Sequence, residues 1–387
     1  MEDVIIVGAG PAGSAAANIL AKNGLKVIIL EKEKIPRHKN CAGGLALRCI
    51  NSLYKLDINI KEVSLQDYSG FSLTYKDLTT RSDLGRTVGW GVYREDFDYL
   101  LAKKAISNGA KVIQEKVISF KEIDGRIKVF TNRGVRESTL LFGADGIGSI
   151  VSKELGVEYG ADKIGYFLET EIKATKNKIE QFGNLLHLDL SYLDKGYAWA
   201  FPKINGETIN VGIGCYLYLL KTLDLPLQEL LKDFAKSHNI SDDLKNVRGG
   251  LLPFGGTTEC FGNGNVILLG DAAGLVSPVS GEGIPYALES GIIAAECAFE
   301  FFEKQVSLVK SYYEKIKSFS VDINQYGITL QNRVYGSDKH RKHVVKLCSS
   351  NNYLMDIMGK IFTHIITHEE GVRKISPIKL LVSSLSS

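Results

Sequence analysis

Several common signatures are missing from this chain. Its six cysteines, at 41, 49, 215, 260, 297 and 348, form no CxxC pair and no zinc-ligand spacing. A reduced, cytoplasmic protein without a metal site is therefore expected. Neither sign of charge dominates: 47 basic and 44 acidic residues leave a net charge of +3, which gives no footprint for nucleic acid. No apolar run is long enough to cross a bilayer, so membrane contact would have to be peripheral, on the cytoplasmic face. Met1-Glu2-Asp3 leads straight into an apolar run, and no export signal is expected. Internal repeats and low-complexity tracts are absent. What is present is ordinary: 44% hydrophobic and 24% charged residues over 387 positions. That supports a packed core in two domains, or one large domain with insertions.

The most informative stretch is the first forty residues. Val4-Ile5-Ile6-Val7 runs into Gly8-Ala9-Gly10-Pro11-Ala12-Gly13, then an alanine-rich helix, then Val27-Ile28-Ile29-Leu30-Glu31. A strand, a glycine turn, a helix and a second strand ending in an acid form the unit that cradles a dinucleotide. Gly8 permits the turn, Gly10 lets backbone approach a pyrophosphate, and Gly13 lets the helix sit close to the strand. The positive end and free N–H groups of the helix then face phosphate. Glu31 can accept ribose hydroxyls and disfavours a 2′-phosphate, which favours FAD or NAD over NADP.

After Glu31 and Lys32 comes a loop with Pro36, Arg37, His38, Lys39, Asn40, Cys41, Ala42, Gly43 and Gly44. Leaving the second strand, it would run back over the cofactor, where Arg37 and Lys39 could neutralise phosphate. Cys41 reads either as an inert small residue or as a functional thiol beside the cofactor. Leu45 to Leu56 reads as a helix, and 57–89 alternates like strands. Arg94 opens another helix. Val117–Ile123 and Arg126–Thr131, joined at Asp124-Gly125, read as a hairpin. Asp145, in a Gly/Asp turn after an apolar run, would bind either cofactor or loop backbone.

Segments 165–174, 184–189, 197–203 and 208–216 suggest an antiparallel sheet. Tyr197, Trp199 and Phe201 alternate and share a face. They read either as sheet core or as the wall of an apolar ligand cavity. Val266–Gly270 is a short strand ending at Asp271, suited to ribityl hydroxyls. The amides from Gly281 to Ile284 open a helix running from Pro285 to about Lys304. The positive end of that helix favours an anionic reduced flavin. Residues 305–387 read as a helical appendage. Its amphipathic stretch 353–366 either packs on the body or faces a membrane.

Taken together, GAGPAG with Glu31, the Arg94 helix, GADG at 143–146 and GDAAG…GEG at 270–283 resemble the FAD-dependent oxidoreductases of the p-hydroxybenzoate hydroxylase fold class. Within it, PRHKNCAGGL at 36–45 and YAWAFPK at 197–203 are similar to the geranylgeranyl reductase family. Its members saturate isoprenoid double bonds in archaeal lipids, chlorophyll side chains and prenylated quinones. The resemblance covers about residues 1–300; the C-terminal part shares only helical character.

The resemblance implies an α/β chain with a Rossmann-like FAD-binding domain (1–60, 90–155 and 250–304). Inserted in it is an antiparallel-sheet substrate domain (61–89 and 156–249), and a helical region (305–387) follows. The FAD set then comprises Gly8, Gly10, Pro11, Ala12, Gly13, Glu31, Lys32, Cys41, Ala42, Gly44, Arg94, Val117, Asp145, Asp271, Gly281, Gly283 and Ile284. The family often has glycine where this chain has Ala42. Tyr197, Trp199, Phe201 and Pro202 would line a prenyl tunnel, with Cys41, Tyr197 and Trp199 as catalytic residues: Cys41 as proton donor or positioning group, and the two aromatics stabilising positive charge. The expected reaction is reduction of isolated C=C bonds in a prenylated lipid or prenyl diphosphate by flavin hydride plus a proton. No second dinucleotide motif is present, so NAD(P)H would bind transiently or a ferredoxin-like partner would deliver electrons. The rival readings are an FAD monooxygenase acting on an aromatic ring or quinone, and a non-catalytic flavin or lipid carrier.

Overall fold

The computed structural model describes the backbone of residues 1–384 and the side chains of 1–376. Glu2–Val7 is the middle strand of a parallel sheet. Val27–Glu31 and Lys111–Gln114 lie on one side of it, Gly134–Gly143 and Val266–Leu268 on the other. The central strands are apolar runs without alternation, as strands covered on both faces are; Val4, Ile5 and Ile6 are each fully buried, in one core with Ile127 and Val129 of the hairpin and residues of the flanking helices. The hairpin of Val117–Ile123 and Arg126–Thr131 extends from the early half of Gly134–Gly143. Its turn residues Asp124 and Gly125 both have positive φ (51° and 72°), as a two-residue hairpin turn requires.

The helix after the glycine turn, Pro11–Lys22, packs against the long helix Ile284–Lys304. The contact is very close. A Cβ on Gly291 would lie 2.3 Å from the Ala12 carbonyl oxygen and 3.1 Å from the Ala15 Cβ. The alanines and this glycine are therefore a steric requirement, and through them the two helix N-termini are held to the same sheet.

A second sheet has seven strands, in the order Arg248–Pro253, Ile164–Lys173, Thr208–Tyr216, Gly196–Lys203, Leu185–Asp189, Gly70–Tyr75 and Leu78–Asp83. All neighbours are antiparallel except Leu185–Asp189 with Gly70–Tyr75. The expected helix over 45–56 is shorter than its sequence suggests. Gly44–Ala46 pairs with Gly89–Gly91 as a strand, and only Cys49–Lys55 is helical. Gly89–Gly91 also pairs with Gln66–Tyr68, which completes a small three-stranded sheet between the two larger ones.

The C-terminal region is not an appendage. Leu330, Val334, Tyr335, Met355, Met358 and Phe362 join Phe71, Leu73 and Trp199 of the seven-stranded sheet in one buried cluster. Phe71 and Phe362 stack at 5.1 Å. In Asn352–Phe362 the apolar face is buried by this contact while Tyr353 stays exposed, so the amphipathic stretch packs on the body and does not present that face to a membrane. Among the described residues no helix is long and apolar enough to cross a membrane. A buried polar clamp adds to the docking. His368 joins Ser277 Oγ through Nε2 at 2.9 Å and Asp322 through Nδ1 at 2.7 Å. Such a group costs stability when buried unless its partners are present.

Gly291→Ala should lower the unfolding free energy by about 1–3 kcal/mol, the usual cost of overpacking a tight contact. Urea denaturation reads it, and an unchanged midpoint would mean the helix pair has slack.

Candidate active site

A cavity of about 480 Å³ opens at the carboxyl ends of the parallel strands and continues beneath the seven-stranded sheet. This is where open α/β folds bind ligands. At one end lies the glycine turn. Gly8 has φ +102°, and a Cβ there would meet the Ala144 carbonyl oxygen at 2.4 Å. Gly13 faces inward, where a Cβ would lie 2.1 Å from the Gly8 carbonyl oxygen. It sets the spacing between helix and strand and is not part of the cavity wall. Gly10 is the opposite case: a Cβ there would meet nothing closer than the Arg37 guanidinium at 3.9 Å. The helix begins at Pro11, beside Ala12 on the cavity wall, with its first amides toward the open space.

Glu31 is buried at the end of its strand. One oxygen accepts the Ala9 N–H at 2.9 Å and the other the Glu33 N–H at 3.1 Å, while Arg37 stands 3.4 Å away. These bonds aim the carboxylate, and its remaining lone pairs are available to hydroxyls. Arg94 forks onto Asp98 at 2.9 and 3.0 Å, and Arg37 reaches the same carboxylate at 3.3 Å. Burial works against the Arg94 charge, but Asp98 and the adjacent Cys41 sulfur outweigh it and keep the guanidinium protonated. Cys41 also accepts the Gly43 N–H at 3.4 Å. Lys32, Ala42, Gly44 and Val117 complete this part of the wall.

Asp145 holds loop backbone, one of the two roles the sequence allowed, and leaves its other oxygen open. Its Oδ2 accepts the Ile150 N–H at 2.8 Å, at the start of a short helix that Ser149 caps. Its Oδ1 is buried in the wall with no hydrogen-bond partner among the described residues. Burial raises the pKa of this acid and of Asp271, the latter opposed by Lys39 and Arg94. At the far end Gly281 (φ +68°) and Gly283 turn the chain into Ile284–Lys304. No side chain caps that helix, and a Cβ on Gly283 would sit 2.9 Å from Asp271 Oδ1.

From there the cavity becomes aromatic and aliphatic, walled by Phe71, Phe167, Leu186, Trp199, Phe201 and Phe362. The Tyr197 ring lies 6.1 Å from Trp199, and Phe167 lies 6.0 Å from it. The Trp199 indole is placed by Gly212, whose absent Cβ would be 2.1 Å from it, and by its N–H bond to Asn210 at 2.8 Å. Phe201 lies on Gly44 of the cofactor loop. Pro202 corrects the expectation. The alternation turns it away from the cavity, and its carbonyl accepts the Tyr68 hydroxyl at 3.0 Å.

These features fit FAD: a glycine cradle, an aimed acid, a partnerless buried carboxylate oxygen and a bare helix N-terminus lie on one elongated wall. A family model described as an FAD binding domain matches residues 1–192. A digeranylgeranylglycerophospholipid reductase of Methanococcus vannielii is 31% identical over 330 residues, 79% of this chain and 79% of that protein. The chain belongs to the geranylgeranyl reductase family of FAD-dependent oxidoreductases. A menaquinone reductase of Mycobacterium tuberculosis is 30% identical over 320 residues, 76% of each protein. The fold agrees with a solved structure of a geranylgeranyl bacteriochlorophyll reductase-like protein from Thermoplasma acidophilum. Its TM-score is 0.81 at 24% identity, over 90% of this chain and 92% of that one.

Some wall residues of this geranylgeranyl reductase-family protein escape sequence reading. Phe71, Phe167, Leu186 and Phe362 look like ordinary core positions. Glu282 sits inside the GEG motif, yet the glycines draw attention and the acid does not. It is largely buried, its side chain 13% exposed, with one oxygen accepting the Ala46 N–H at 2.7 Å and the other 3.4 Å from His364 Nε2. Burial, opposed by the Ala46 amide and Arg48, pushes its pKa up to about 8. An acid between two glycines at a helix start is the signal that could have singled it out.

Gly10→Ala should leave apoprotein stability unchanged, because the methyl meets no protein atom. It should weaken FAD retention about tenfold or more, the equivalent of ~1.4 kcal/mol, measured by fluorescence titration of the apoprotein. Equal affinity would mean that the turn does not approach the cofactor.

Proposed function

We propose that the protein uses FAD to saturate isolated C=C bonds in an isoprenoid chain, of the kind carried by archaeal-type membrane lipid precursors and prenylated quinones. The observation that carries this reading is the continuity of the cavity. The cradle for the cofactor runs without interruption into a slot walled by Phe71, Phe167, Leu186, Tyr197, Trp199 and Phe362. A branched hydrocarbon chain fits such a wall, whereas a polar aromatic acid would leave its oxygens unpaired there. Relatives named for a digeranylgeranyl phospholipid and for menaquinone support the same class of substrate.

The chemistry explains the wall. FAD bound in the cradle supplies, when reduced, a hydride. An isolated alkene has no carbonyl to take up the developing charge, so protonation has to lead or accompany the hydride. Positive charge then builds on the more substituted carbon. The faces of Tyr197 and Trp199 attract that charge by about 2 kcal/mol or more when desolvated, and an apolar slot excludes water that would capture it. Cys41, bonded to Gly43 and lying against Arg94, acts as a positioning group for the cofactor loop.

Dithionite-reduced protein mixed anaerobically with a geranylgeranyl lipid should reoxidise its flavin and yield a product heavier by two hydrogens per bond, detected by mass spectrometry. A requirement for oxygen and a hydroxylated product would replace this reading with a monooxygenase. Trp199→Leu keeps the wall apolar but removes the π face. It should lower the turnover rate by roughly ten- to thirtyfold, the equivalent of about 1.4–2 kcal/mol, with FAD still stoichiometric. Undiminished turnover would take Trp199 out of charge stabilisation.

A further inference from the structure

We propose that Glu282 is the acid that gives the alkene its proton, an assignment that rests on the prenyl reduction proposed above. The residue lies where the cofactor cradle meets the aromatic slot. Gly281 and Gly283 on either side of it form the turn into the long helix. Against it stand Ala46 from the small sheet, Tyr197 from the seven-stranded sheet, and His364 from the C-terminal region.

Other groups near this junction are less suited to the task. The Tyr197 hydroxyl already donates to the Ser280 carbonyl, and burial raises its pKa further from neutrality. His364 is deeply buried and held neutral, with Nε2 at 2.9 Å from Ser280 Oγ. Cys41 is occupied by Gly43 and Arg94. Glu282 differs in having one backbone donor and, among the described residues, no lysine or arginine within 4.0 Å. Arg48 faces it from farther off but forks onto Glu289 at 2.6 and 2.8 Å. Cys49 is the other titratable group nearby and is held neutral, chiefly by burial. A carboxyl in these surroundings keeps its proton at neutral pH, as a general acid must.

The step balances. The O–H bond of Glu282 breaks and its electron pair stays on the carboxylate. The alkene π pair takes the proton and forms a C–H bond at the less substituted carbon. The other carbon would take a hydride, with its electron pair, which FAD supplies when bound and reduced. The alkene would gain the two electrons that FAD gives up. A carboxylic acid is too weak to protonate an unactivated alkene by itself, so the two transfers overlap in time. His364 faces the carboxylate left behind, which then recovers a proton from solvent.

The test compares wild type with Glu282→Gln, which keeps the size and the Ala46 contact but has no acidic proton, and with Glu282→Asp, which keeps the acid. E282Q should bind FAD and be reduced by dithionite normally. Its anaerobic reoxidation by a geranylgeranyl lipid should be slower by roughly a hundredfold or more, and E282D should fall between the two. The wild-type rate should drop as pH rises through about 8. The apoprotein supplies a readout independent of turnover. The folded chain holds a proton that the unfolded chain loses above its ordinary carboxyl pKa. Its contribution to urea-measured stability should therefore be greatest below that value and decline as pH rises toward about 8, and E282Q should lack this component. Wild-type rates in E282Q, or the same pH slope of stability in both apoproteins, would overturn the assignment while leaving prenyl reduction standing. If wild type itself is not reoxidised by the lipid, both readings fall together.

Discussion

One loop, Ser277–Gly283, ties the cofactor cradle, the seven-stranded sheet and the C-terminal helices together. The His368 ring holds the Ser277 hydroxyl, Gln331 donates to the Pro278 carbonyl at 2.7 Å, and the Tyr335 hydroxyl donates to the Val279 carbonyl. Tyr197 donates to the Ser280 carbonyl, His364 meets the Ser280 hydroxyl, and the Ala46 amide meets Glu282. Each bond contributes only about 0.5–1.5 kcal/mol net, but each buried polar group left without its partner would cost about 1–3 kcal/mol. The loop is thus set by mutual satisfaction of buried and half-buried polar groups. It fixes the start of the long helix, the rim of the cofactor cradle and the near end of the aromatic slot together.

The polar groups on the wall divide by their company. Arg37 and Arg94 gather on Asp98, and Arg37 stands beside Glu31 as well. Charge is paired there, next to a turn and helix end suited to phosphate. Asp145, Asp271 and Glu282 have little or no paired cation, and burial raises the pKa of all three. Paired and unpaired acids thus share the cradle: Asp145 lies beside Gly8, and Asp271 feels Lys39 and Arg94. The slot beyond is walled by apolar side chains, so a hydrophobic chain and a nucleotide can occupy one continuous space.

The C-terminal helices matter more than their weak sequence signal implied. Residues that read as an amphipathic surface bury that surface on Phe71 and Trp199 and close the slot with Phe362. Periodicity can show that a helix has an apolar face. It cannot say which surface the face meets, because many surfaces would satisfy it equally.

The local chemistry was legible from the chain alone. Gly8 and Gly13 are required by backbone angle and close approach, Glu31 by its place at a strand end, and the alternation of Tyr197, Trp199 and Phe201 by the twofold period of a strand. Each depends on neighbours a few residues away, so order along the chain carries the information. Pro202 was misjudged within the same logic, since the period that points Phe201 inward points its neighbour outward. The acid site was different. Ser280 and His364 are 84 residues apart, and the 3.4 Å approach of His364 to Glu282 exists only because helices dock on a sheet. No propensity or spacing encodes that approach. It is produced by the burial of distant apolar faces against each other, which only the folded chain decides.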